Sequence, residues 1–139
     1  MKKRIGFVSN SSSSSFIVIG TGKDESYIVK QAAAEGYIIF GSQGETEFGW
    51  GPAVITDVFS RINFARIQAE NKPEWQEMLD DVIRQETDCD AICWEVDGYI
   101  DHQSAAHEGE NIEMFDSKDM LRRFLFCSDS FIQLDNDNH

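Results

Sequence analysis

The sequence predicts a single α+β domain over residues 1–139, in which a mixed, mostly antiparallel sheet is covered by three to four helices. Three observations favour this fold. Short β-branched and aromatic runs alternate with segments of helical periodicity, an Asp-Gly dipeptide marks a hairpin, and no internal repeat divides the chain. A length of 139 residues with 41% hydrophobic residues is sufficient for one buried core.

The strand predictions follow from short apolar runs bounded by turn residues. The clearest run is FIVI at residues 16–19, which is wholly apolar, has three β-branched residues and stops at a glycine. Asp97 and Gly98 form the predicted hairpin turn between strands 91–96 and 99–102. The other predicted strands are residues 4–8, 37–40, 112–115 and 131–134, and the polar tail 135–139 is expected to fray unless it docks.

One helix is predicted from an apolar stripe that follows Pro73. Asn71 and Glu74 have capping-box spacing around this proline. The stripe has the i, i+3, i+4, i+7, i+8 spacing of one helix face and consists of Trp75, Met78, Leu79, Val82 and Ile83.

Three more helices are predicted from their caps. The first begins at Asp24 or Ser26 and ends near residue 35, before a glycine stop. The second begins at Thr56 and continues to about residue 71. The last is capped by Asp116, with Asp119 as its capping-box partner, and has two arginines in its final turn.

Residues 9–15 form a polar tract, SNSSSSS, that runs directly into strand 16–19. Serine tracts are usually linkers, because they bury too little apolar surface to offset the entropy of ordering. Only eight residues precede this tract, so we interpret it as a polar segment held against the core at one end. Its hydroxyls and Asn10 can line a ligand site, or they can satisfy their own backbone as a turn network.

The opening of the chain resembles a group of small proteins from tailed bacteriophages and bacteria. The shared pattern is one or two basic residues, then GF, then an SNSSSSSF-like run, matched here by Arg4, Gly6 and residues 7–16. The similarity extends to EFGW at 47–50, YIDHQS at 99–104 and NDN at 136–138. This resemblance implies a phage or prophage setting and no particular chemistry.

The net charge of −13 is concentrated in one half of the chain. Residues 1–69 hold seven Lys/Arg and six Asp/Glu, a net of +1, whereas residues 70–139 hold five and nineteen, a net of −14. Such a surface is repelled by nucleic acid and anionic membranes and attracted to basic grooves. The charge can serve solubility alone, or it can imitate a phosphate backbone and occupy a nucleic-acid-binding protein.

The polar side of the predicted Pro73 helix is a candidate partner-binding surface, because its charges are on regular structure. Its acidic residues are Glu74, Glu77, Asp81 and Glu86. We therefore predict a phage-type accessory protein that binds a basic surface of a host protein, in the bacterial cytoplasm, as an inhibitor or nucleic-acid mimic. Direct binding to nucleic acid or membranes is not expected.

The alternative is a small-ligand protein or enzyme, with a phosphate or nucleotide-like ligand. Its site combines the serine tract, where backbone and hydroxyl donors suit an anion, with Trp50 in a glycine-rich loop and with Asp101 and His102. The proposed contacts are Ser9, Asn10, Ser11, Ser12, Ser13, Trp50, Asp101 and His102. The neighbouring Gly20-Thr21-Gly22-Lys23 sequence lacks the earlier glycine of a phosphate loop.

The residue types of a catalytic triad and of a zinc site are present, but not in the patterns that those sites require. A serine, His102 and Asp101 are the residue types of a triad, but no G-x-S-x-G pattern is present and adjacent strand residues point to opposite faces. Cys89, Cys93, His102 and His107 are zinc-ligand types with too short a spacer, and buried thiols are the better interpretation. We therefore predict no catalytic residue, cofactor, metal or structural disulfide.

Overall fold

The computed structural model describes residues 13–48, 53–100 and 110–136. The strands are β1 Ser13–Val18, β2 Tyr37–Phe40, β3 Glu47–Phe48, β4 Ala53–Ile55, β5 Ala91–Trp94, β6 Tyr99–Ile100 and β7 Phe131–Asn136. The helices are α1 Ser26–Ala32, α2 Val58–Gln68, α3 Pro73–Thr87 and α4 Lys118–Phe126, with a 3₁₀ helix at Glu110–Asp116. The predicted α+β class is confirmed, and no helix in these ranges has the length and apolar character to cross a membrane.

The strands form three small sheets rather than one. β7 is the centre of an antiparallel sheet of order β1-β7-β4, in which Ile17 lies opposite Ile132. β2 pairs in parallel with β5, and β3 pairs in parallel with β6. The predicted mixture of parallel and antiparallel pairing is present, but it is divided among separate sheets.

α2 is the central helix of the core and is buried on most of its surface. Phe64 on α2 lies 5.1 Å from Phe48 in an edge-to-face contact and 6.3 Å from Phe124 of α4. Ser60 and Asn63, also buried on α2, hold the loop between β2 and β3. The Ser60 hydroxyl accepts from the backbone N–H of Glu45 at 2.7 Å, and the Asn63 amide donates to the carbonyl of Glu45 at 3.0 Å.

A buried arginine on α2 joins three segments of the chain. Arg61 is 0% exposed. Its guanidinium donates to the carbonyls of Cys127 and Ser130, which flank the turn between α4 and β7, and to a Glu25 carboxylate oxygen at 2.7 Å. Burial lowers the pKa of Arg61, and the hydrogen bond to Glu25 opposes this shift. Arg61 therefore fixes the start of α1 and the turn before β7 relative to the central helix.

The predicted Asp97–Gly98 hairpin is wrong, because residues 91–100 run parallel to residues 37–48 instead of folding back on themselves. The backbone N–H of Tyr99 donates to the Thr46 carbonyl at 2.9 Å. A Cβ on Gly98 would lie 1.8 Å from that same carbonyl oxygen. The glycine therefore serves the close approach of two backbones rather than a tight turn.

Several predicted helix caps differ from those observed. Asp57, not Thr56, caps α2 by accepting from the Ser60 backbone N–H at 2.9 Å. Ser117, not Asp116, caps α4 by accepting from the Met120 N–H at 3.1 Å. In both helices the observed cap is the next residue, which also has a short oxygen-bearing side chain. The predicted cap was therefore one residue too early in each helix.

The α3 start also differs from the predicted capping box. Pro73 is in the first turn as predicted, but the N-cap is Lys72, which makes no side-chain cap bond. Gln76 instead donates to the carbonyls of Ala69 and Glu70, both at 2.9 Å, and so ties α3 to the end of α2. In α4, Asp119 pairs with Arg122 at 2.6 Å rather than completing a box. α1 ends at Ala32, short of the predicted residue 35.

Two further predictions need correction near the C-terminus. Residues 112–115, predicted as a strand, lie in the 3₁₀ helix, where Phe115 stacks on Trp75 at a centroid distance of 4.5 Å. Asp135 and Asn136, predicted to fray, belong to β7 and pair with Ser14 and Ser13. The predicted strand at residues 4–8 and the tail at 137–139 lie outside the described residues.

Candidate functional site

The exposed side of α3 carries a row of carboxylates. Glu74, Glu77 and Asp81 have the i, i+3, i+7 spacing that places residues on one helix face. Glu74 and Glu77 are exposed and Asp81 is half-buried. The other side of the helix is fixed in the core by the buried residues Leu79, Val82 and Ile83. We call Glu74, Glu77 and Asp81 the α3 acidic face.

Two of the predicted partner-binding residues differ from the others, Glu86 in its side of the helix and Asp81 in its ion pair. Glu86 follows Val82 by four residues and Ile83 by three, so it lies on the side of the buried stripe rather than on the α3 acidic face. Asp81 forms an ion pair with Lys118 of α4 at 3.3 Å. The other two carboxylates of the α3 acidic face, Glu74 and Glu77, do not take part in this ion pair.

A cavity lies between the end of α2 and residues 94–98, at and just after the end of β5. Its volume is about 230 Å³. Arg66, Ile67 and Glu70 line it from the α2 side, and Trp94, Val96 and Asp97 line it from the other. We call it the Arg66–Trp94 cavity. It combines one cation, two carboxylates and an aromatic wall.

The position of Trp94 is fixed by three contacts. Its ring stacks on Phe40 with a centroid distance of 4.8 Å, and the Arg66 guanidinium lies 5.4 Å from the ring centroid. Its indole N–H donates to the Asp80 carboxylate of α3 at 2.8 Å. The aromatic wall is therefore preorganised and directly connected to α3.

Arg66, one of the residues that line this cavity, also carries a buried donor. Its Nε is buried and has no hydrogen-bond partner among the residues that the structure describes. A buried donor without an acceptor costs free energy, on the order of 1 to 3 kcal/mol. Because this atom has almost no accessible surface, it is not part of the cavity wall that a ligand would contact.

The Gly20-Thr21-Gly22-Lys23 segment does bind an anionic group, but that group belongs to the chain itself. The backbone N–H of Gly22 donates to the Asp129 carboxylate at 2.7 Å. Hydrogen bonds from the backbone of Gly22 and then Thr21 lower the pKa of Asp129. A Cβ on Gly20 would lie 2.0 Å from an Asp129 oxygen, so both glycines admit this carboxylate. In the folded chain these backbone donors already have an acceptor.

Asp129→Asn is expected to destabilise the protein at pH 7 and to have less effect in acid. The folded-state pKa of Asp129 is depressed, so its carboxylate stabilises the fold at neutral pH, and this contribution is lost as the pH falls through that folded value. The measurement is the urea midpoint of both proteins at pH 7 and at about pH 3, below the ordinary aspartate pKa. Glu77→Gln, on an exposed carboxylate, is the control. If Asp129→Asn lowered the urea midpoint by the same amount at both pH values, this role of the carboxylate would be contradicted.

The predicted serine, tryptophan and histidine site falls mostly outside the described residues, which exclude Ser9, Asn10, Ser11, Ser12, Trp50, Asp101 and His102. Ser13 is in β1, paired with Asn136, so the end of the serine tract is strand and not loop. Phe48 and Ile100 are register partners, and the segments with Trp50 and His102 follow them directly. β1 belongs to a different sheet from these two strands.

The cysteines are thiols in separate environments. Cys89 and Cys127 are buried and Cys93 is half-buried, and all three are free. Burial raises the pKa of Cys127. Within residues 13–48, 53–100 and 110–136, no group of three or more His, Cys, Asp or Glu side chains is placed to hold a metal ion. His102 and His107 of the zinc interpretation lie outside these ranges.

Comparison with known proteins gives no assignment: no family model, curated protein or solved structure matches this chain. The functional interpretation therefore depends on the chemistry of the chain itself.

Sequence reasoning did not identify the Arg66–Trp94 cavity. Arg66 and Glu70 are four residues apart, a spacing that places both on one side at the end of α2, but this pair is common on helix surfaces. Asp97 was interpreted as a turn residue. Only the parallel pairing of β5 with β2, which a local pattern does not encode, brings Trp94 and Asp97 to the end of α2.

Proposed function

We propose that this protein acts by binding, and that the α3 acidic face docks on a basic surface of a host protein. One observation carries the proposal. Glu74, Glu77 and Asp81 share one side of an ordered helix whose opposite side is buried in the core. Charges on such a helix are held in position before a partner arrives, so little ordering entropy is lost on binding.

The spacing of these carboxylates supports a surface that competes with nucleic acid for a basic site. At a rise of about 1.5 Å per residue, steps of three and four residues separate successive carboxylates by about 4.5 and 6 Å along the axis. Phosphates of one DNA strand rise by about 3.4 Å each. The spacing of the carboxylates along the helix is of the same order, with Lys118 paired to Asp81 and Arg84 three residues beyond it. The net charge of −13 adds a longer-range attraction to cationic partners.

The biological setting of the proposal depends on the N-terminal resemblance alone. The phage-like pattern in residues 4–16 supports a role inside an infected bacterial cell, where an acidic binding protein would inhibit a host nucleic-acid enzyme or a defence factor. In that setting the protein acts in the bacterial cytoplasm and does not itself bind nucleic acid, because its charge opposes phosphates.

Neutralising the α3 acidic face is expected to weaken partner binding by about tenfold, since each exposed ion pair contributes up to about 1 kcal/mol. The variant is Glu74→Gln, Glu77→Gln, Asp81→Asn. The matched control is Glu35→Gln, Glu45→Gln, Glu47→Gln, which removes the same charge from exposed positions outside α3. The measurement is retention of host proteins from bacterial lysate on each immobilised protein, quantified by mass spectrometry.

The two triple variants separate position from total charge. A host protein lost from the α3 variant but retained by the control supports the proposal. Equal loss from both variants would mean that only net charge matters, and equal retention by both would exclude this face.

A second candidate function is small-ligand binding at a site that uses Trp50 and His102. The register pairing of Phe48 with Ile100 favours it, because the chain continues from adjacent positions into the two segments that carry these residues. The test is tryptophan fluorescence during titration with inorganic phosphate and with a nucleotide. A saturable change that Trp50→Phe abolishes would support this function, and an unchanged spectrum would remove it.

A further inference from the structure

We propose that the edge of β5 that faces away from β2 binds an extended segment of a partner protein, which carries lysine or arginine and adds to β5 as a further strand. We call the backbone N–H and carbonyl groups of Ile92, Trp94 and Val96 the β5 edge. This surface is apart from the α3 acidic face, and the inference does not require the proposed function.

The backbone hydrogen bonds show which residues of this segment face away from β2. The N–H of Ala91 donates to the Gly36 carbonyl at 3.0 Å, and the N–H of Glu95 donates to the Phe40 carbonyl at 2.7 Å. In a parallel pair, the N–H and carbonyl of one residue point to the partner strand, and those of the next residue point away from it. The groups of the β5 edge therefore point away from β2.

The β5 edge has no backbone partner, whereas the opposite edge of the sheet, on β2, is occupied. Among the residues that the structure describes, no hydrogen bond reaches the N–H or carbonyl groups of the β5 edge. On β2, Tyr37 and Ala34 exchange two backbone hydrogen bonds, at 2.8 and 3.0 Å. The Ile39 carbonyl accepts from the Gln43 side-chain amide at 3.0 Å. An unpaired edge is a template for strand addition, in which main-chain hydrogen bonds supply the affinity.

The β5 edge is held in its strand conformation before a partner binds. The Trp94 ring stacks on Phe40 and its indole N–H donates to Asp80, so the segment is fixed from the core side. Ile92 and Val96 also pack against the core, and both keep accessible surface. Binding to a rigid edge loses less ordering entropy than binding to a mobile segment.

One face of the β2–β5 sheet is also open. Parallel strands are usually covered on both faces. Ile38 and Phe40 are buried on the core face, whereas Tyr37 is 45% exposed and its register partner Ala91 is exposed. Within the described ranges, this parallel pair is therefore uncovered on one face as well as unpaired at one edge.

The charges beside the β5 edge favour a basic partner segment. Residues 85–117 contain no lysine or arginine. The exposed carboxylates in and next to the segment are Asp88, Asp90, Glu95 and Asp97. Lys30 pairs with Asp88 at 3.2 Å, and Arg66 lines the cavity beside Asp97, so the surroundings keep a net negative charge. An added strand places its side chains directly opposite those of β5, where opposite charges attract.

The same charges disfavour a second copy of this chain as the added strand. Pairing of two β5 edges would bring Glu95 and its neighbouring carboxylates of both copies together, and like charges directly opposite one another are destabilising. The partner is therefore a different protein. Its segment carries lysine or arginine at alternate positions, which places the cations on the same face as Glu95.

The first measurement is backbone amide hydrogen exchange of the ¹⁵N-labelled full chain, followed by NMR. The N–H groups of the β5 edge are expected to exchange at least about tenfold faster than those of Ala91 and Glu95, which are bonded to β2. Slow exchange at the β5 edge would show that it is already paired, within the chain or with a second copy, and would overturn the inference.

The second measurement is an NMR titration with N-acetyl, C-amide Lys-Val-Lys-Val-Lys and with its counterpart that has glutamate in place of lysine. We expect the lysine peptide to shift the N–H signals of the β5 edge saturably and to slow their exchange. Binding of the glutamate peptide is expected to be at least about fivefold weaker.

Two methylated forms of the lysine peptide test for strand addition. One carries N-methyl groups on its lysine nitrogens and the other on its valine nitrogens. Only one of these sets faces β5 in a bound strand, so one form is expected to lose binding and the other to keep it. No difference between the two forms would contradict strand addition.

Variants locate the site. The double variant Glu95→Gln, Asp97→Asn is expected to weaken lysine-peptide binding by about fivefold. The control Glu74→Gln, Glu77→Gln removes the same charge from α3 and is expected to change the affinity by less than about twofold. Equal binding of the lysine and glutamate peptides, or an unchanged affinity in the Glu95/Asp97 variant, would each overturn the inference.

The two proposals fail separately. A host protein that needs the α3 acidic face, in a chain whose β5 edge binds no lysine peptide, leaves the proposed function in place and removes strand addition. A lysine peptide that adds to the β5 edge of a protein that retains no host partner supports strand addition and removes the proposed function.

Discussion

Arg61→Met is expected to lower the free energy of unfolding by about 3 to 5 kcal/mol, the range for breaking a buried charge pair by removing one partner. Methionine keeps much of the volume but cannot donate. The carbonyls of Cys127 and Ser130 lose the buried guanidinium that binds them, and Glu25 loses its partner at 2.7 Å. The variant therefore releases the start of α1 and the turn before β7 together.

The measurement is urea unfolding followed by tryptophan fluorescence. Arg84→Met is the matched control, since Arg84 is an exposed arginine of α3 and its replacement is expected to change stability by about 0.5 kcal/mol or less. Similar urea midpoints for Arg61→Met and wild type would show that the buried guanidinium makes no net contribution to the free energy of unfolding. Arg61→Lys is expected to recover only part of the loss, because an ammonium lacks the planar fork of donors.

Gly98→Ala is expected to destabilise the protein by about 1 to 3 kcal/mol, as is usual when a methyl group is forced into a packed site. The added Cβ would meet the Thr46 carbonyl oxygen at 1.8 Å and its carbonyl carbon at 2.6 Å, and a backbone obstacle cannot rotate away. The substitution separates β6 from β3. Because Gly98 also lines the Arg66–Trp94 cavity, the indole N–H signal of Trp94 in the NMR spectrum of the ¹⁵N-labelled protein is expected to shift.

Gly22→Ala is the comparison for this prediction. Its Cβ would contact only side-chain atoms, an Asp129 oxygen at 2.8 Å and the Ser128 hydroxyl at 2.9 Å, and these can move at lower cost. We expect a smaller loss of stability and an unchanged Trp94 signal, both measured alongside Gly98→Ala. A Gly98→Ala protein as stable as wild type would contradict the close approach of residues 98 and 46.

Local sequence patterns predicted most of the elements but not how the strands pair. The FIVI run, the Tyr37–Phe40 strand and the α3 stripe are each determined by residues within one turn or one strand of each other. The parallel pairing of β5 with β2 joins residues more than fifty positions apart and is stabilised by core contacts. The Asp97–Gly98 dipeptide therefore predicted a hairpin where a close backbone crossing exists.

The candidate site was predictable where it depends on one helix and not where it depends on tertiary contacts. Glu74, Glu77 and Asp81 lie on one helix at one-face spacing, and by the same spacing Glu86 belongs to another side. The Arg66–Trp94 cavity depends on a Trp94–Asp80 hydrogen bond between a strand and a helix fourteen residues apart in sequence. No local pattern encodes that contact.

The most direct test of the central claim is the salt dependence of host-protein capture. The immobilised full chain is exposed to bacterial lysate at about 0.1 M salt and then washed at about 1 M, over which the Debye length falls from about 10 to about 3 Å. Binding through the α3 acidic face predicts a specific host protein, absent from the α3 triple variant, that is retained at low salt and released at high salt. A partner that stays bound at high salt and is equally retained by the α3 variant would contradict it.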